Sequence, residues 1–251
     1  MRTRKNRFSV DRSGQLLIVA ALAIAILISS TTAYVYELSK ESGNPQNQSI
    51  GDLALALKQS TRNAIISSLA NASNGEEEDI LTTNLGILAQ VFRSLHQLDM
   101  CSLAFTPFGD APYDSGTWLS WNTTGADVSS ACANFVLDIR DGSDRAMISY
   151  AVNITTSLTM DGVYQLQDSE KHVNLTCRIY NEGLPALAES LNVFYLASGN
   201  WTEVDASGLS EADYGNGTYV LTFPVPQEAT QISIHMRDLR NILVQSKYDI
   251  P

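Results

Sequence analysis

The chain has 251 residues and a net charge of −11, with 44% hydrophobic and only 17% charged residues. That acidity excludes a basic surface for nucleic acid or anionic lipid, and the length allows one large or two small domains beyond any targeting segment. Three cysteines are too few for a disulfide-framed miniprotein and lack metal-ligand spacing.

Residues 1–14 form a basic leader with Arg2, Arg4, Lys5, Arg7 and Arg12 against the single acid Asp11. Gln15 to Tyr36 then carries no formal charge and reads LLIVAALAIAILI from Leu16 to Ile28. A helix rising about 1.5 Å per residue over that length crosses a hydrocarbon layer roughly 30 Å thick. Five of the 16 basic residues but one of the 27 acidic residues precede it. The charge bias therefore predicts a cytoplasmic N-terminus and an extracellular bulk, with the bilayer as first partner. Ala21, Ala25, Ser29 and Ala33 form a small-residue stripe on which two such helices can associate. A secretory cut near Ala33 is the alternative fate of the segment.

The basic leader, the tetrad Arg12-Ser13-Gly14-Gln15 and the apolar run together resemble the class III signal of archaeal type IV pilin-like and archaellin-like surface proteins. The resemblance implies cleavage between Gly14 and Gln15, with the helix retained for anchoring or assembly. Val19 stands at the fifth mature position, where typical pilins carry an acid.

Residues 37–49 read as a polar linker, and 50–99 as an amphipathic helical hairpin. Leu53, Ala54, Leu57, Thr61, Ala64, Ile65 and Leu69 share one face of its first helix, with Ser49 as N-cap. Asn74-Gly75 turns the chain, Glu76 to Asp79 suit a helix N-terminus, and Leu81, Leu85, Leu88, Phe92 and Leu95 stripe the second helix.

Residues 100–162 read as a loop-rich and β-hairpin region. Its aromatics Phe105, Phe108, Tyr113, Trp118 and Trp121 sit among prolines and glycines, and Trp118 and Trp121 are candidates for stacking on a sugar ring. Cys101 and Cys132 bracket the stretch; a bridge between them would stabilise by roughly 3–4 kcal/mol on the chain-entropy argument. Asp141-Gly142 and Asp161-Gly162 read as hairpin turns, with Ile148, Tyr150, Val152, Ile154 and Leu158 alternating inward between them.

Residues 163–251 read as an antiparallel sandwich, with strands around Val173 to Ile179, Leu191 to Leu196, Thr218 to Phe223, Gln231 to Arg237 and Ile242 to Ser246. VNLTCRIYNEG, LNVFYL and YGNGTYVLTF resemble Ig-like or fibronectin-like domains of archaeal surface proteins, which implies sandwich architecture. The predicted fold class is thus α+β: a transmembrane helix, a helical hairpin and a β-rich region ending in an Ig-like sandwich.

Seven asparagines, Asn47, Asn71, Asn122, Asn153, Asn174, Asn200 and Asn216, stand in Asn-x-Ser/Thr sequons and are candidate glycosylation sites. His96, His172 and His235 are scattered, and alternation turns His235 outward. No nucleophile elbow or phosphate loop is present, so catalytic, metal and cofactor residues are none, and no enzyme activity is expected. The expected role is structural or adhesive, in a cell envelope or a pilus-like assembly with other envelope proteins. The alternative is an ectodomain that binds a solute or glycan through 105–121.

Overall fold

A computed structural model describes residues 50–77, 79–95, 101–121, 127–141 and 144–251. The leader, the uncharged segment 15–36, the linker, Ser49 and the sequons at Asn47 and Asn122 lie outside them, as does His96. Among the described residues no helix is long and apolar enough to cross a membrane. The described residues form mainly antiparallel β-sheet with two helices, α1 (Ile50–Ser73) and α2 (Ile80–Leu95).

The helices form where the sequence places apolar residues at helical period. Leu57, Thr61, Ile65 and Leu69 of α1 and Leu81 and Leu85 of α2 are completely buried. Between the helices Gly75 adopts φ +98°, which frees the last turn of α1 to close: Gly75 N–H donates to Ala72 O and Glu76 N–H to Asn71 O, each at 3.1 Å.

Twelve strands follow: β1 (Cys101–Pro107), β2 (Thr117–Ser120), β3 (Asp127–Asp141), β4 (Asp144–Gln167), β5 (Glu170–Asn181), β6 (Leu184–Pro185), β7 (Ala188–Ala197), β8 (Asn200–Glu203), β9 (Ser210–Asp213), β10 (Thr218–Pro226), β11 (Gln231–Asp238) and β12 (Leu243–Asp249). The larger sheet runs β1-β3-β4-β5-β10-β9, with β2 also on β3 and β6 also on β5; the smaller runs β12-β11-β7-β8. Strand β4 is the spine. Its 24 residues pair with β3 up to Leu158 and with β5 from Thr156 onward.

One face of this sheet is covered in two ways. At one end α1 and α2 close over Phe135, Leu137, Ile139 and Ile154; at the other, the smaller sheet closes over Leu158, Val173, Leu175, Cys177, Ile179 and Phe223 with Ile232, Ile234, Met236 and Val244. Ile154 and Leu158 are four residues apart on β4, so they share a face and serve one core each. Ile242 packs in the helical core and Val244 in the other, which brings both cores to the start of β12.

Three expectations need correction. Residues 50–251 form one compact unit, so no domain boundary falls at 162/163. Asp161-Gly162 is no turn: Asp161 pairs with Thr176 and Gly162 with Leu175 inside β4. Glycine stands there for space, since a Cβ would strike the Leu175 side chain and lie 2.9 Å from Asn174 O. Finally, all three cysteines are free thiols. Cys101 pairs with Ile139, seven residues along β3 from Cys132, so about 23 Å of extended strand separates the two. A disulfide tolerates less than about 7 Å between Cα atoms. Strands β3 and β4 pair antiparallel as far as Asp141 and Asp144, and Gly142 of the expected turn lies outside the described residues.

Candidate functional site

A concavity lies where the α1–α2 turn meets β2 and β12. Its walls are Ala72 to Glu76, then Thr117, Leu119 and Trp121, then Leu243 and Gln245, around a cleft of about 420 Å³. That volume falls within the range of small-ligand sites.

Polar contacts fix the three walls. Leu243 N–H donates to Ser73 Oγ at 3.0 Å, and Asn74 Nδ2 donates to Asn241 O at 2.9 Å. Arg237 Nε donates to Asn74 Oδ1 at 2.9 Å. Trp121 Nε1 donates to Ser129 Oγ at 2.9 Å, and that hydroxyl donates to Leu243 O at 2.6 Å. The indole is thereby pinned at its polar edge while its ring lines the cleft, half-buried. Glu76 is the one titratable residue in the walls, so the arrangement can hold a ligand but offers no acid–base pair.

The two stacking candidates part company here. Thr117, Leu119 and Trp121 alternate onto the cleft side of β2, whereas Trp118 points the other way and packs edge-on against Tyr113, with ring centroids 6.0 Å apart. Tyr113 meets Phe108 at 5.4 Å, and its hydroxyl lies 3.0 Å from Ser130 Oγ. These aromatics pack on one another over the sheet. Phe105 is half-buried beside the helical core.

Sequence reasoning missed the charged cluster at the seam between the cores. Asp238 is fully buried and accepts from Arg240 Nε at 2.7 Å, from the backbone N–H of Arg240 and Ile242 at 2.9 Å, and from Thr156 Oγ1 at 3.1 Å. Arg240 also donates to Glu182 Oε1 at 2.7 Å, Thr156 Oγ1 at 3.0 Å and Thr155 O at 3.3 Å. Thr155 and Thr156 lie where β4 changes partner from β3 to β5. The cluster joins β4, the turn after β5 and the β11–β12 turn; its groups are saturated by one another, which suits fastening and not turnover.

The remaining candidates stay dispersed. Among the described residues no group of three or more His, Cys, Asp or Glu is placed to hold a metal ion. Asp138 is engaged by Arg145, whose Nε and Nη2 both donate to it at 2.9 Å, and this hydrogen bonding holds its carboxyl below the usual range. His172 is exposed. His235 is not the open residue that alternation predicts: it is half-buried against Phe194, centroids 4.7 Å apart, and its pKa is lowered by burial and then by Arg237 and Lys247. Burial pushes the Cys177 thiol up to about 12 and raises Cys101 and Cys132 as well, the former helped by Asp138.

Asn153, Asn174, Asn200 and Asn216 are exposed. Asn153 with Thr155, and Asn174 with Thr176, lie on the face of the large sheet turned away from both cores. Asn71 differs, because it is half-buried in α1 and the Ser73 of its sequon is 1% exposed. No family model, no curated protein and no solved structure matches the chain.

Proposed function

We propose that the chain is a single-pass membrane-anchored surface protein, with its N-terminus cytoplasmic and its acidic bulk extracellular. Its role is structural or adhesive in the cell envelope, or in a pilus-like assembly with other envelope proteins. The observation that carries this reading is the uncharged segment from Gln15 to Tyr36, set between an arginine-rich leader and a strongly acidic remainder. The leader and apolar run resemble a class III signal, apart from Val19 at the fifth mature position, so processing after Gly14 belongs to the same proposal. The packing of β5 and β10 against the smaller sheet supports a sandwich-like layer within the single unit. Exposed asparagines at 153, 174, 200 and 216 are accessible to a glycan without disturbing a core.

Alkaline extraction of membranes tests the anchor. The full chain stays in the pellet, and deletion of residues 15–36 moves it to the supernatant; a full chain released by the wash overturns the proposal.

A second reading draws on the cleft: Trp121 forms one wall of a space large enough for a small solute or a sugar ring. It predicts that mono- and disaccharides change the tryptophan fluorescence of the full chain saturably, and that Trp121→Ala abolishes the change while Trp118→Ala does not. Absence of any saturable change removes this reading and leaves the anchor untouched.

A further inference from the structure

The large sheet ends at β1, and among the described residues no strand lies on its outer side. A bare edge exposes a row of unpaired backbone groups, and proteins ordinarily guard such edges with charges, proline, bulges or very short strands. Most edges here are guarded. Strands β8 and β9 have four residues each and carry Glu203, and Glu211 with Asp213; β12 carries Lys247 and Asp249. The uncovered part of β4 faces a groove walled by Lys58 and Arg62 of α1, and includes the sequon residue Asn153. By contrast β1 reads CSLAFTP, without a formal charge, and its register with β3 runs unbroken from Cys101 to Pro107.

The direction of its free backbone groups follows from the ladder. Phe108 N–H donates inward to Cys132 O at 3.0 Å. Counting back by twos, Thr106, Ala104 and Ser102 also turn their backbone groups to β3, so Leu103 and Phe105 turn theirs outward. Side chains alternate in the same way: Ser102, Ala104 and Thr106 are exposed, whereas Cys101 and Leu103 are buried and Phe105 is half-buried toward the helices. Beside this edge lies a groove of about 520 Å³, between β1 and the Gly86, Ala89, Gln90 and Arg93 side of α2. Nothing lies within 4 Å of a Cβ built on Gly86, so the helix wall leaves room at the edge.

We propose that β1 is a homodimer edge, paired antiparallel with β1 of a second copy about a two-fold axis at Ala104. Three features select a second copy. The register is self-complementary: Leu103 and Phe105 of one copy exchange backbone hydrogen bonds with Phe105 and Leu103 of the other, and Ser102 faces Thr106 across the exposed side. Ala104 meets its own copy with no bulk between them. At the contact itself β1 sets no charge against its own copy, whereas β8, β9 and β12 would each bring charged side chains to such a contact. The contact is isologous and closes at two copies, making one continuous sheet.

Site-directed cross-linking of the full chain in detergent micelles tests this register. Residues 102, 104 and 106 fall at non-hydrogen-bonded pairs, whose Cα atoms stand about 4.5 Å apart, within disulfide reach. The native thiols are buried and stay silent. Under mild oxidation Ala104→Cys runs as a disulfide-linked dimer. Ser102→Cys and Thr106→Cys each stay monomeric alone and cross-link when mixed, and Ala104→Lys, which sets two cations face to face, shifts the native mass from two copies to one. The proposal is overturned if Ala104→Cys stays monomeric, or if it cross-links no better than Met147→Cys on the exposed face of the sheet. Preferential linkage of Ala104→Cys to Ala151→Cys, the mark of a head-to-tail array through β4, overturns it equally.

Discussion

Replacing Arg240 with methionine removes the guanidinium from the seam and leaves its stem. Asp238 then keeps two backbone N–H donors and the Thr156 hydroxyl but loses its cation, in a site where its side chain is 0% exposed. Stranding one partner of a buried ion pair costs roughly 3–5 kcal/mol. The three remaining donors moderate the loss, and the half-exposed contact with Glu182 adds under about 1 kcal/mol, so about 3 kcal/mol is expected. For a unit of about 200 residues that lowers Tm by roughly 6–12 °C. Thermal unfolding followed by tryptophan fluorescence measures it, and a double-mutant cycle isolates the cause. In an Asp238→Asn background the amide oxygen still accepts the two backbone N–H groups and no charge is stranded. There Arg240→Met costs only about 1 kcal/mol, a coupling of about 2 kcal/mol. A shift under about 2 °C, or an equal cost in both backgrounds, refutes the reasoning.

Further predictions concern other parts of the fold. Gly162→Ala forces a methyl into Leu175 and the backbone of β5, at a cost of about 1–3 kcal/mol in the same melt; Gly183→Ala, where a Cβ meets nothing within 4 Å, escapes that clash and carries only the strain of φ +78°. With three buried thiols and no bridge, a thiol reagent labels no cysteine in the native chain and three after unfolding without reductant, whereas one label after unfolding means a disulfide. His235 has a folded pKa below its ordinary 6.5, so unfolding takes up a proton. Stability is therefore lost as pH falls from about 6.5 toward the folded value and is flat above 6.5 with respect to this group. His235→Gln shrinks the difference in Tm between pH 7.5 and pH 5.5; an unchanged difference contradicts the assignment.

What was legible in the sequence follows from distance along the chain. Both helices and the strands around Val173 to Ile179, Thr218 to Phe223 and Gln231 to Arg237 declare themselves by local period, because each buries one face. Strands β8 and β9 do not: all their residues are exposed, so no alternation marks them. The Asp161-Gly162 pair carries turn chemistry, yet its glycine answers to a neighbour 13 residues away in β5. The disulfide arithmetic was sound for two cysteines flanking a loop and failed on register, which spacing does not encode.

The site was less legible still. The cleft takes its walls from residues near 74, 119 and 243, and the Arg240 cluster joins positions 58 and 84 residues apart, so no motif announces either. Of the two tryptophans singled out, Trp121 lines the cleft and Trp118 is packed, because an odd separation of three residues turns them to opposite sides. Which side faces the cleft depends on the packing of β2 against residues near 74 and 243, which no local pattern encodes.

Protease treatment of intact cells tests the central claim most directly. With the anchor and orientation proposed, an added protease destroys the polypeptide beyond Tyr36 and leaves a short membrane-embedded N-terminal fragment. Full protection of the acidic bulk until the cells are lysed would place it inside and contradict the account.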